Sequence, residues 1–334
     1  MTEILRVVDA VVDYSTSTGT VRALDGATLE VGRGEFVGVV GESGSGKSTL
    51  GLLVGKLLPA IARIDGIVEV DGVSVLDTRR DELLRLRREC LGFVPQDPVG
   101  ALNPTLRIGK QMRLALHGLA ATTDELVAML DRVRIREPRR VLQLFPHQVS
   151  GGMAQRVAIA MAMARKPRIL IADEPTAALD SNVREEVTKL IFELARESGT
   201  TVLWLSHDLN AVSRWCERIV VMYGGRVVED GPATAVLVNP RHPYTAALAS
   251  SDPARIARGE RLLPIAGTPP VLTQQLHACA FHTRCALAID ACRNVRPEPT
   301  TFGGHTVLCR RAEEFDPDAD LAALISEAQV GVDR

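Results

Sequence analysis

Residues 41–49 have the sequence G-E-S-G-S-G-K-S-T, and they follow the apolar run E-F-V-G-V-V at residues 35–40. The loop matches the pattern G-x-x-x-x-G-K-[ST], which binds phosphate where it connects a buried strand to a helix. The β-branched run predicts that strand, and the residues from Lys47 onward predict the helix. Small glycines let backbone N–H groups converge on phosphate oxygens, while the N-terminal end of the helix faces the same anion. The stretch therefore predicts a phosphate-binding loop in an α/β fold.

The side chains of this loop supply the charge and the metal ligand that a nucleoside triphosphate needs. Lys47 brings a positive charge to the β- and γ-phosphates, and Ser48 is the expected ligand of Mg²⁺. A glycine-serine turn that binds nothing is the alternative, and the matching motifs elsewhere in the chain argue against it. The predicted nucleotide-binding residues of the loop are Gly41, Glu42, Ser43, Gly44, Ser45, Gly46, Lys47, Ser48 and Thr49.

A second motif places two acids at the end of an apolar run. Residues 169–174 have the sequence I-L-I-A-D-E, and ligands of open α/β sheets bind at the carboxyl ends of such strands. Asp173 is the predicted partner of Mg²⁺, and Glu174 is positioned to accept a proton from the attacking water. Alone, the pattern favours a solvated strand end. Together with the phosphate-binding loop, it favours the metal ligand and the general base.

The order of predicted elements gives the fold class and the domains. Apolar runs at 168–172 and 201–205, with helical periodicity at 183–196 between them, predict a parallel sheet flanked by helices. Short alternating strands within 29–35 and 67–75 predict an accessory antiparallel sheet, and 98–151 is mostly helical in pattern. We expect a P-loop NTPase core with an antiparallel β subdomain and a helical subdomain. From about residue 230 prolines accumulate and strands are expected to stop, so we predict domains at 1–235 and 236–334, the second loop-rich.

Composition limits the class of protein. A formal net charge of -2 over 334 residues gives no basic field for nucleic acid, so no nucleic-acid partner is expected. The charged start of the chain does not resemble a secretion signal, and nowhere do about 18 apolar residues follow one another. A peripheral association with a membrane is the expectation if the protein works there.

The sequence S-G-G-M at residues 150–153 resembles the LSGGQ motif of ABC transporter ATPases. Three further landmarks follow the order of that family: Gln96 in V-P-Q-D-P, Asp180 in A-A-L-D and His207 in L-S-H-D-L. The resemblance covers residues 4–230. The leucine and glutamine that usually flank S-G-G are replaced here by Val149 and Met153, and this leaves the polar contacts at those two positions open.

This resemblance implies a head-to-tail pair of ATPase domains with ATP between the phosphate-binding loop of one and the S-G-G motif of the other. Ser150, Gly151 and Gly152 would offer free N–H groups at a helix start to the γ-phosphate of the partner's nucleotide. A helix cap followed by glycines is the alternative interpretation.

The resemblance also assigns the remaining site residues. Gln96 would sense Mg²⁺ and the attacking water, and would link the site to the membrane subunit. His207 would contact the γ-phosphate, Asp180 would couple the two sites, and Tyr14 in V-V-D-Y would stack on adenine. A half-buried tyrosine without a ligand is the alternative for Tyr14.

Three segments resemble the oligopeptide, dipeptide and nickel importer branch of the family: Q-D-P-V-G-A-L-N-P-T-L-R-I-G-K-Q at 96–111, H-P-Y-T at 242–245, and the cysteine-rich tail. They imply a peripheral subunit at the cytoplasmic face of the cell membrane that hydrolyses ATP to power peptide import. The implied partners are a second, different ABC ATPase, two transmembrane permease subunits and an extracytoplasmic substrate-binding protein.

The tail has the spacing C-x5-C-x6-C-x16-C. Four thiolates suit either an iron–sulfur cluster or a tetrahedral zinc site, and the spacing does not choose between them. Similar tails in the importer branch are associated with a [4Fe–4S] cluster, which favours iron over zinc or free thiols, in a structural role. The predicted ligands are Cys279, Cys285, Cys292 and Cys309, whereas Cys90 and Cys216 are expected to be small buried hydrophobes.

Two functions of other classes remain as alternatives. A soluble ABC ATPase acting on nucleic acid or ribosomes usually carries a long coiled-coil insertion or two fused ATPase halves, and this chain has neither. An ATP-dependent metal-cluster assembly factor is suggested by the cysteines alone.

Overall fold

The computed structural model describes residues 2–117, 119–251, 265–317 and 319–320. The strands are β1 (Glu3–Thr16), β2 (Gly19–Gly32), β3 (Phe36–Val40), β4 (Ala62–Val70), β5 (Val73–Ser74), β6 (Leu91–Val94), β7 (Ile169–Asp173), β8 (Thr201–Ser206), β9 (Arg218–Tyr223), β10 (Arg226–Pro232), β11 (Thr300–Phe302) and β12 (His305–Val307). The helices are α1 (Lys47–Val54), α2 (Arg80–Glu89), α3 (Pro98–Ala101), α4 (Ile108–Ala115), α5 (Thr123–Arg132), α6 (Pro138–Val141), α7 (Gly151–Met163), α8 (Ser181–Ser198), α9 (Leu209–Ser213), α10 (Ala233–Val238), α11 (Pro243–Ser250) and α12 (Asp290–Asn294), and a 3₁₀ turn covers Pro146–Gln148.

The chain forms two compact units, each built from separate stretches of sequence. The first unit comprises Met1–Ile4, Gly32–Glu35 and Asp77–Trp204, and the second comprises Leu5–Val31, Phe36–Leu76 and Leu205–Arg334. This division into units does not test the domain boundary predicted near residue 235, which remains a prediction. Among the described residues, no helix has the length and apolar character needed to span a bilayer.

An antiparallel sheet in the second unit has the strand order β2-β1-β4-β5. β1 pairs with β4 from Leu5↔Val70 to Tyr14↔Ala62, and a register shift lies between Val8 and Val11. The accessory sheet predicted from sequence is confirmed. β5 is short, as expected, but β2 and β4 are longer than the predicted strands. β1 and β2 each run for 14 residues, because alternate apolar side chains along both strands are buried.

The second unit also contains β3, the strand that leads into the phosphate-binding loop, and the strands β9 to β12. All five residues of β3 are buried, and β3 pairs in parallel with β9 from Val37↔Arg218 to Val40↔Val221. β10 is antiparallel to β9, and β12 is antiparallel to both β10 and β11. The expectation that strands stop near residue 230 was therefore wrong, since β11 and β12 extend the sheet through the pairing of Glu229 with Val307.

The first unit carries the acidic strand end and the helical region. β6 is parallel to β7, with Leu91 opposite Ile169 and Val94 opposite Ala172, and β8 lies on the other side of β7. The helices predicted between residues 98 and 151 are α3 to α6, and α7 follows them. α8 begins at an Asp180 cap and ends at Gly199, which has a left-handed φ of 67°. Cys90, in the first unit, is buried as predicted, and so is Cys216 in the second unit.

Candidate functional site

The phosphate-binding loop connects β3 to α1, as the sequence predicts. Gly46, the residue before α1, has a φ of 104°, and a Cβ there would lie 2.7 Å from the carbonyl oxygen of Ala23. Gly44 has a φ of 80°, which also favours glycine. Within the described residues, no side chain caps the N-terminus of α1. The loop therefore places backbone groups, without a capping side chain, at the start of a helix, which is the arrangement that binds phosphate.

Lys47 lies over this loop with its ammonium group folded back on the backbone. The side chain is buried, and Nζ donates to the carbonyl oxygens of Gly41 at 2.6 Å and Glu42 at 2.9 Å. Ser45 Oγ is a third acceptor at 3.4 Å, and the Ser45 N–H donates to the Glu42 carbonyl. A full positive charge is thus held where the sequence predicts the β- and γ-phosphates, and Ser48 follows it in the first turn of α1.

Tyr14 lies near the end of β1 and reaches the other end of the loop. Its hydroxyl is 3.4 Å from Thr49 Oγ1, and the side chain is partly buried. His207 follows β8 and is exposed, while the next residue, Asp208, caps α9 by accepting from the Ala211 N–H at 2.8 Å. Of these two predicted site residues, Tyr14 therefore has a described contact with the phosphate-binding loop.

In the first unit, the acidic pair stands at the carboxyl end of β7. Asp173 is the last residue of β7 and is buried, whereas Glu174 adopts a left-handed φ of 42° that is rare for a non-glycine residue. The parallel register of Val94 with Ala172 carries Gln96 past the end of β6 to a position beside Glu174. Gln96 Nε2 donates to Glu174 Oε2 at 3.4 Å. Three predicted site residues therefore meet at one sheet edge.

The S-G-G motif lies at the start of α7 in the same unit. Ser150 is the N-cap and its Oγ accepts from the Met153 N–H at 3.3 Å. Gly151 is exposed, and a Cβ at Gly152 would lie 3.6 Å from Val183 Cγ1 in the first turn of α8. Asp180 caps α8 by accepting from the Val183 N–H at 3.1 Å. The starts of α7 and α8 are thus neighbours, which the sequence motifs did not reveal.

The C-terminal cysteines converge. Cys279, Cys285, Cys292 and Cys309 all line one cavity, together with His242 and Phe281. In the part of the chain that the structure describes, no three His, Cys, Asp or Glu side chains are close enough together to hold a metal ion in their present arrangement.

Burial changes the ionisation of these thiols. It raises the pKa of Cys285 to about 11 and that of Cys309 to about 12, and it also raises the pKa of Cys279. The thiols of Cys279, Cys285 and Cys309 are therefore neutral at pH 7 unless a cation replaces their protons.

His242 of the H-P-Y-T segment is fully buried at the same cavity. Burial lowers its pKa to about 4, so the ring is neutral at pH 7. Nδ1 accepts from the Tyr244 N–H at 3.0 Å, and Nε2 has no hydrogen-bond partner within the described residues. The backbone N–H of His242 donates to the buried carboxylate of Glu229 at 3.0 Å.

Sequence reasoning missed two residues that contact the phosphate-binding loop from the C-terminal region. Tyr244 accepts from the Glu42 N–H at 2.8 Å, and Arg284 forms a paired contact with the Glu42 carboxylate at 2.7 and 3.1 Å. The H-P-Y-T segment and the position of Arg284 beside Cys285 were the available signals.

Comparison with known proteins identifies the family to which the chain is similar. A family model described as ABC transporter matches residues 24–177, and one described as the C-terminal region of oligopeptide/dipeptide transporters matches residues 228–292. The chain is 41% identical over 316 residues to the oligopeptide transport ATP-binding protein OppD of Escherichia coli (strain K12), covering 93% of this chain and 94% of that protein. It is 38% identical over 317 residues to the dipeptide transport ATP-binding protein DppD of Bacillus subtilis (strain 168), covering 92% and 95% respectively.

Solved structures agree on the fold. A dimeric structure of a post-hydrolysis state of the ATP-binding cassette MJ0796 bound to ADP and Pi has a TM-score of 0.61 and 34% sequence identity. That match covers 69% of this chain and 98% of the other. The predicted ATPase fold, with its α/β core, is confirmed.

Proposed function

Because this chain belongs to the ABC transporter ATP-binding proteins, in the oligopeptide and dipeptide branch, we propose specific roles for the residues of its two nucleotide-binding segments. The chain is an ATP-hydrolysing subunit that energises a peptide importer. The observation that carries the residue assignment is the buried Lys47 ammonium over a loop of bare backbone before α1. Neither alternative, a soluble ATPase acting on nucleic acid or ribosomes or a cluster-assembly factor, is favoured by these matches.

The proposed role of residues 41–49 is to bind the triphosphate. Backbone N–H groups from Gly44 onward surround the phosphates, and the start of α1 adds its positive end. Lys47 then exchanges the carbonyl oxygens of Gly41 and Glu42 for phosphate oxygens, which are stronger acceptors for an ammonium group. Tyr14 stacks on the adenine from the end of β1. Ser48 supplies a hydroxyl ligand to Mg²⁺.

The proposed hydrolytic groups lie at the end of β7. Asp173 is the acidic residue that holds the Mg²⁺ shell, which neutralises the charge developing on the phosphates. Glu174 accepts the proton of the attacking water, and Gln96 orients that water and the carboxylate through its amide. Glu174 has a left-handed backbone, a conformation that is rare for a non-glycine residue and is often found at functional sites. His207 is the proposed contact to the γ-phosphate.

Hydrolysis requires a second ATPase domain in this proposal. Ser150, Gly151 and Gly152 at the start of α7 receive the γ-phosphate of the nucleotide held by the partner, since a helix N-terminus offers unpaired N–H groups. Asp180 couples the two sites. We infer that the partner is a different ABC ATPase, that the pair works on two transmembrane permease subunits with an extracytoplasmic substrate-binding protein, and that it lies at the cytoplasmic face of the membrane.

The cysteine cavity is proposed to hold a [4Fe–4S] cluster, with a zinc ion as the alternative. Support comes from the donor set, because four cysteines line one cavity, and thiolates are the ligands of both groups. When bound, the group supplies a covalent cross-link among Cys279, Cys285, Cys292 and Cys309. Cys292 is buried and the other three cysteines are partly buried, so the surrounding residues would limit the access of water to the group. We assign the site a structural role.

Titration of the full chain with a fluorescent ATP analogue and Mg²⁺ tests the nucleotide site. Wild type is expected to bind, and Lys47→Ala is expected to bind about thirtyfold more weakly, because the ammonium contact to the phosphates is lost. Lys110→Ala removes an exposed lysine on α4 and serves as the matched control. Equal binding by wild type and Lys47→Ala would remove the loop from its assigned role.

A further inference from the structure

Glu42, the second residue of the phosphate-binding loop, is fixed through all of its polar groups. Its carbonyl accepts from Lys47 Nζ and from the Ser45 N–H, both within the loop. Its N–H and its carboxylate are bound instead by Tyr244 and Arg284, which lie more than 200 residues later in the sequence. The loop is therefore completed from outside its own motif.

Arg284 is held rigidly. Its side chain is 3% exposed, and each of its five N–H bonds has an acceptor. Nη1 donates to Glu42 Oε2 at 2.7 Å and to the Tyr223 hydroxyl at 3.1 Å. Nη2 donates to Glu42 Oε1 and to the Ile265 carbonyl, both at 3.1 Å, and Nε donates to the Ala266 carbonyl at 2.6 Å. A guanidinium with all donors engaged fixes the carboxylate in one plane.

Tyr244 is equally immobile. It is fully buried, and its ring centroid lies 4.5 Å from that of Tyr223 and 5.4 Å from that of Phe281. Its hydroxyl accepts the Glu42 N–H at 2.8 Å. The aromatic packing sets the position of this acceptor, and with it the point where the loop leaves β3.

The charge of Glu42 gives this arrangement a function. An unpaired carboxylate in a loop that binds a triphosphate would repel the ligand, since like charges a few ångströms apart interact strongly in a partly buried site. Arg284 cancels that charge and leaves Lys47 as the net charge of the loop. We propose that Arg284 and Tyr244 are positioning residues for ATP binding: they neutralise and immobilise Glu42, so that the C-terminal extension prepares the phosphate-binding loop for its nucleotide.

This proposal rests on the assignment of residues 41–49 as the ATP site. The contacts order the loop before the nucleotide arrives. Their loss should therefore weaken ATP binding and leave the hydrolytic step largely unchanged. ATP affinity, and the KM for ATP in the assembled transporter, should therefore change, while kcat stays within about twofold of wild type.

The first experiment uses two tyrosines that differ in one contact. Tyr244→Phe removes the acceptor of the Glu42 N–H, and we expect about fivefold weaker binding of the fluorescent ATP analogue to the full chain. Tyr223→Phe removes an equally buried hydroxyl that accepts from Arg284. Arg284 keeps its other four hydrogen bonds, including both to the Glu42 carboxylate, so affinity is expected to stay within about twofold of the wild-type value. Equal losses in both variants would indicate general destabilisation and overturn the proposal.

The second experiment is a charge cycle. Arg284→Gln leaves the Glu42 carboxylate unpaired, and we expect about tenfold weaker binding that becomes smaller at high salt. Adding Glu42→Gln removes the repulsion, so the double variant should bind the analogue at least about threefold more tightly than Arg284→Gln does. A purely structural role for Arg284 predicts no such rescue. If Arg284→Gln fails to fold, the affinities of Glu42→Gln and Tyr244→Phe for the ATP analogue still test the positioning role.

The outcomes separate the proposal from the site assignment. Binding that depends on Lys47 but is unaffected by Tyr244→Phe and by the charge cycle would overturn the positioning role alone. Absence of binding by folded wild-type protein would overturn the assignment of residues 41–49 itself.

Discussion

The phosphate-binding loop and the cysteine cavity lie in the same unit and are made in opposite ways. The loop uses nine consecutive residues and presents mainly backbone groups, whereas the cavity collects side chains scattered from residue 242 to residue 311. A backbone site is fixed by glycine conformations and one helix start, so it tolerates change in the surrounding chain. A side-chain site depends on how distant segments pack. We therefore expect the two regions to respond separately to substitutions, although Tyr244 and Arg284 connect Glu42 of the loop to the C-terminal region.

The largest expected effect concerns hydrolysis without binding. Glu174→Gln keeps the shape of the side chain but removes the proton acceptor, so ATP turnover in the assembled transporter should fall at least about a hundredfold while ATP still binds. Steady-state phosphate release and analogue titration measure the two quantities. Glu185→Gln, on an exposed position of α8, is the matched control. An unchanged turnover would remove Glu174 from the role of general base.

The next effect separates binding from the cysteine cavity. Lys47→Ala should weaken ATP binding by about thirtyfold and leave the iron or zinc content of anaerobically purified protein at the wild-type value. The ammonium donates to Gly41, Glu42 and Ser45, which all belong to the loop, so we do not expect its loss to reach the cavity. A parallel loss of metal would show that the two regions are one cooperative site.

The converse test starts from the cavity. Cys285→Ser removes one of four thiols, and the metal content should fall by more than half, with a decrease in Tm of about 5–10 °C. Cys90→Ser, at a buried cysteine far along the sequence from the cavity, is the control and should keep its metal. Iron, sulfide and zinc analysis distinguishes a [4Fe–4S] cluster from zinc. Wild-type protein that folds without any metal would contradict the cluster.

The same contrast explains what could be predicted from the sequence. The loop, α1 and the acidic end of β7 were predictable because each is a local pattern of strand, glycines and helix start. The contact of Gln96 with Glu174 follows from the parallel register of β6 and β7, which only their pairing fixes. β1 was missed because charges at Arg6, Asp9 and Asp13 obscure the alternation of buried residues, and the first part of β2 was missed because Arg22 and Asp25 have the same effect there.

The C-terminal region was harder to predict because its order comes from distant partners. Prolines and cysteines indicated loops, and the sequence contained no signal that β12 would pair with β10. In the sequence, Arg284 is one more charged residue beside a cysteine, yet its five acceptors come from three separate segments of the second unit. Such contacts depend on tertiary packing, which a single sequence does not specify.

The smallest expected effect tests how β12 is attached. Glu229 is completely buried, its carboxylate accepts from the backbone N–H groups of Arg241 and His242, and His305 Nε2 lies 2.6 Å from its Oε1. His305→Gln keeps a donor at this position but loses the ring that packs against Gly231, so the free energy of unfolding should fall by about 1 kcal/mol.

ATP affinity should not change in His305→Gln, because Glu42, Tyr244 and Arg284 keep all their described contacts. Chemical denaturation and analogue titration on the same preparation measure both quantities. A loss of ATP affinity equal to that of Tyr244→Phe would mean that the loop responds to the whole C-terminal extension. The positioning role would then belong to the β10–β12 pairing as much as to the two residues that contact Glu42.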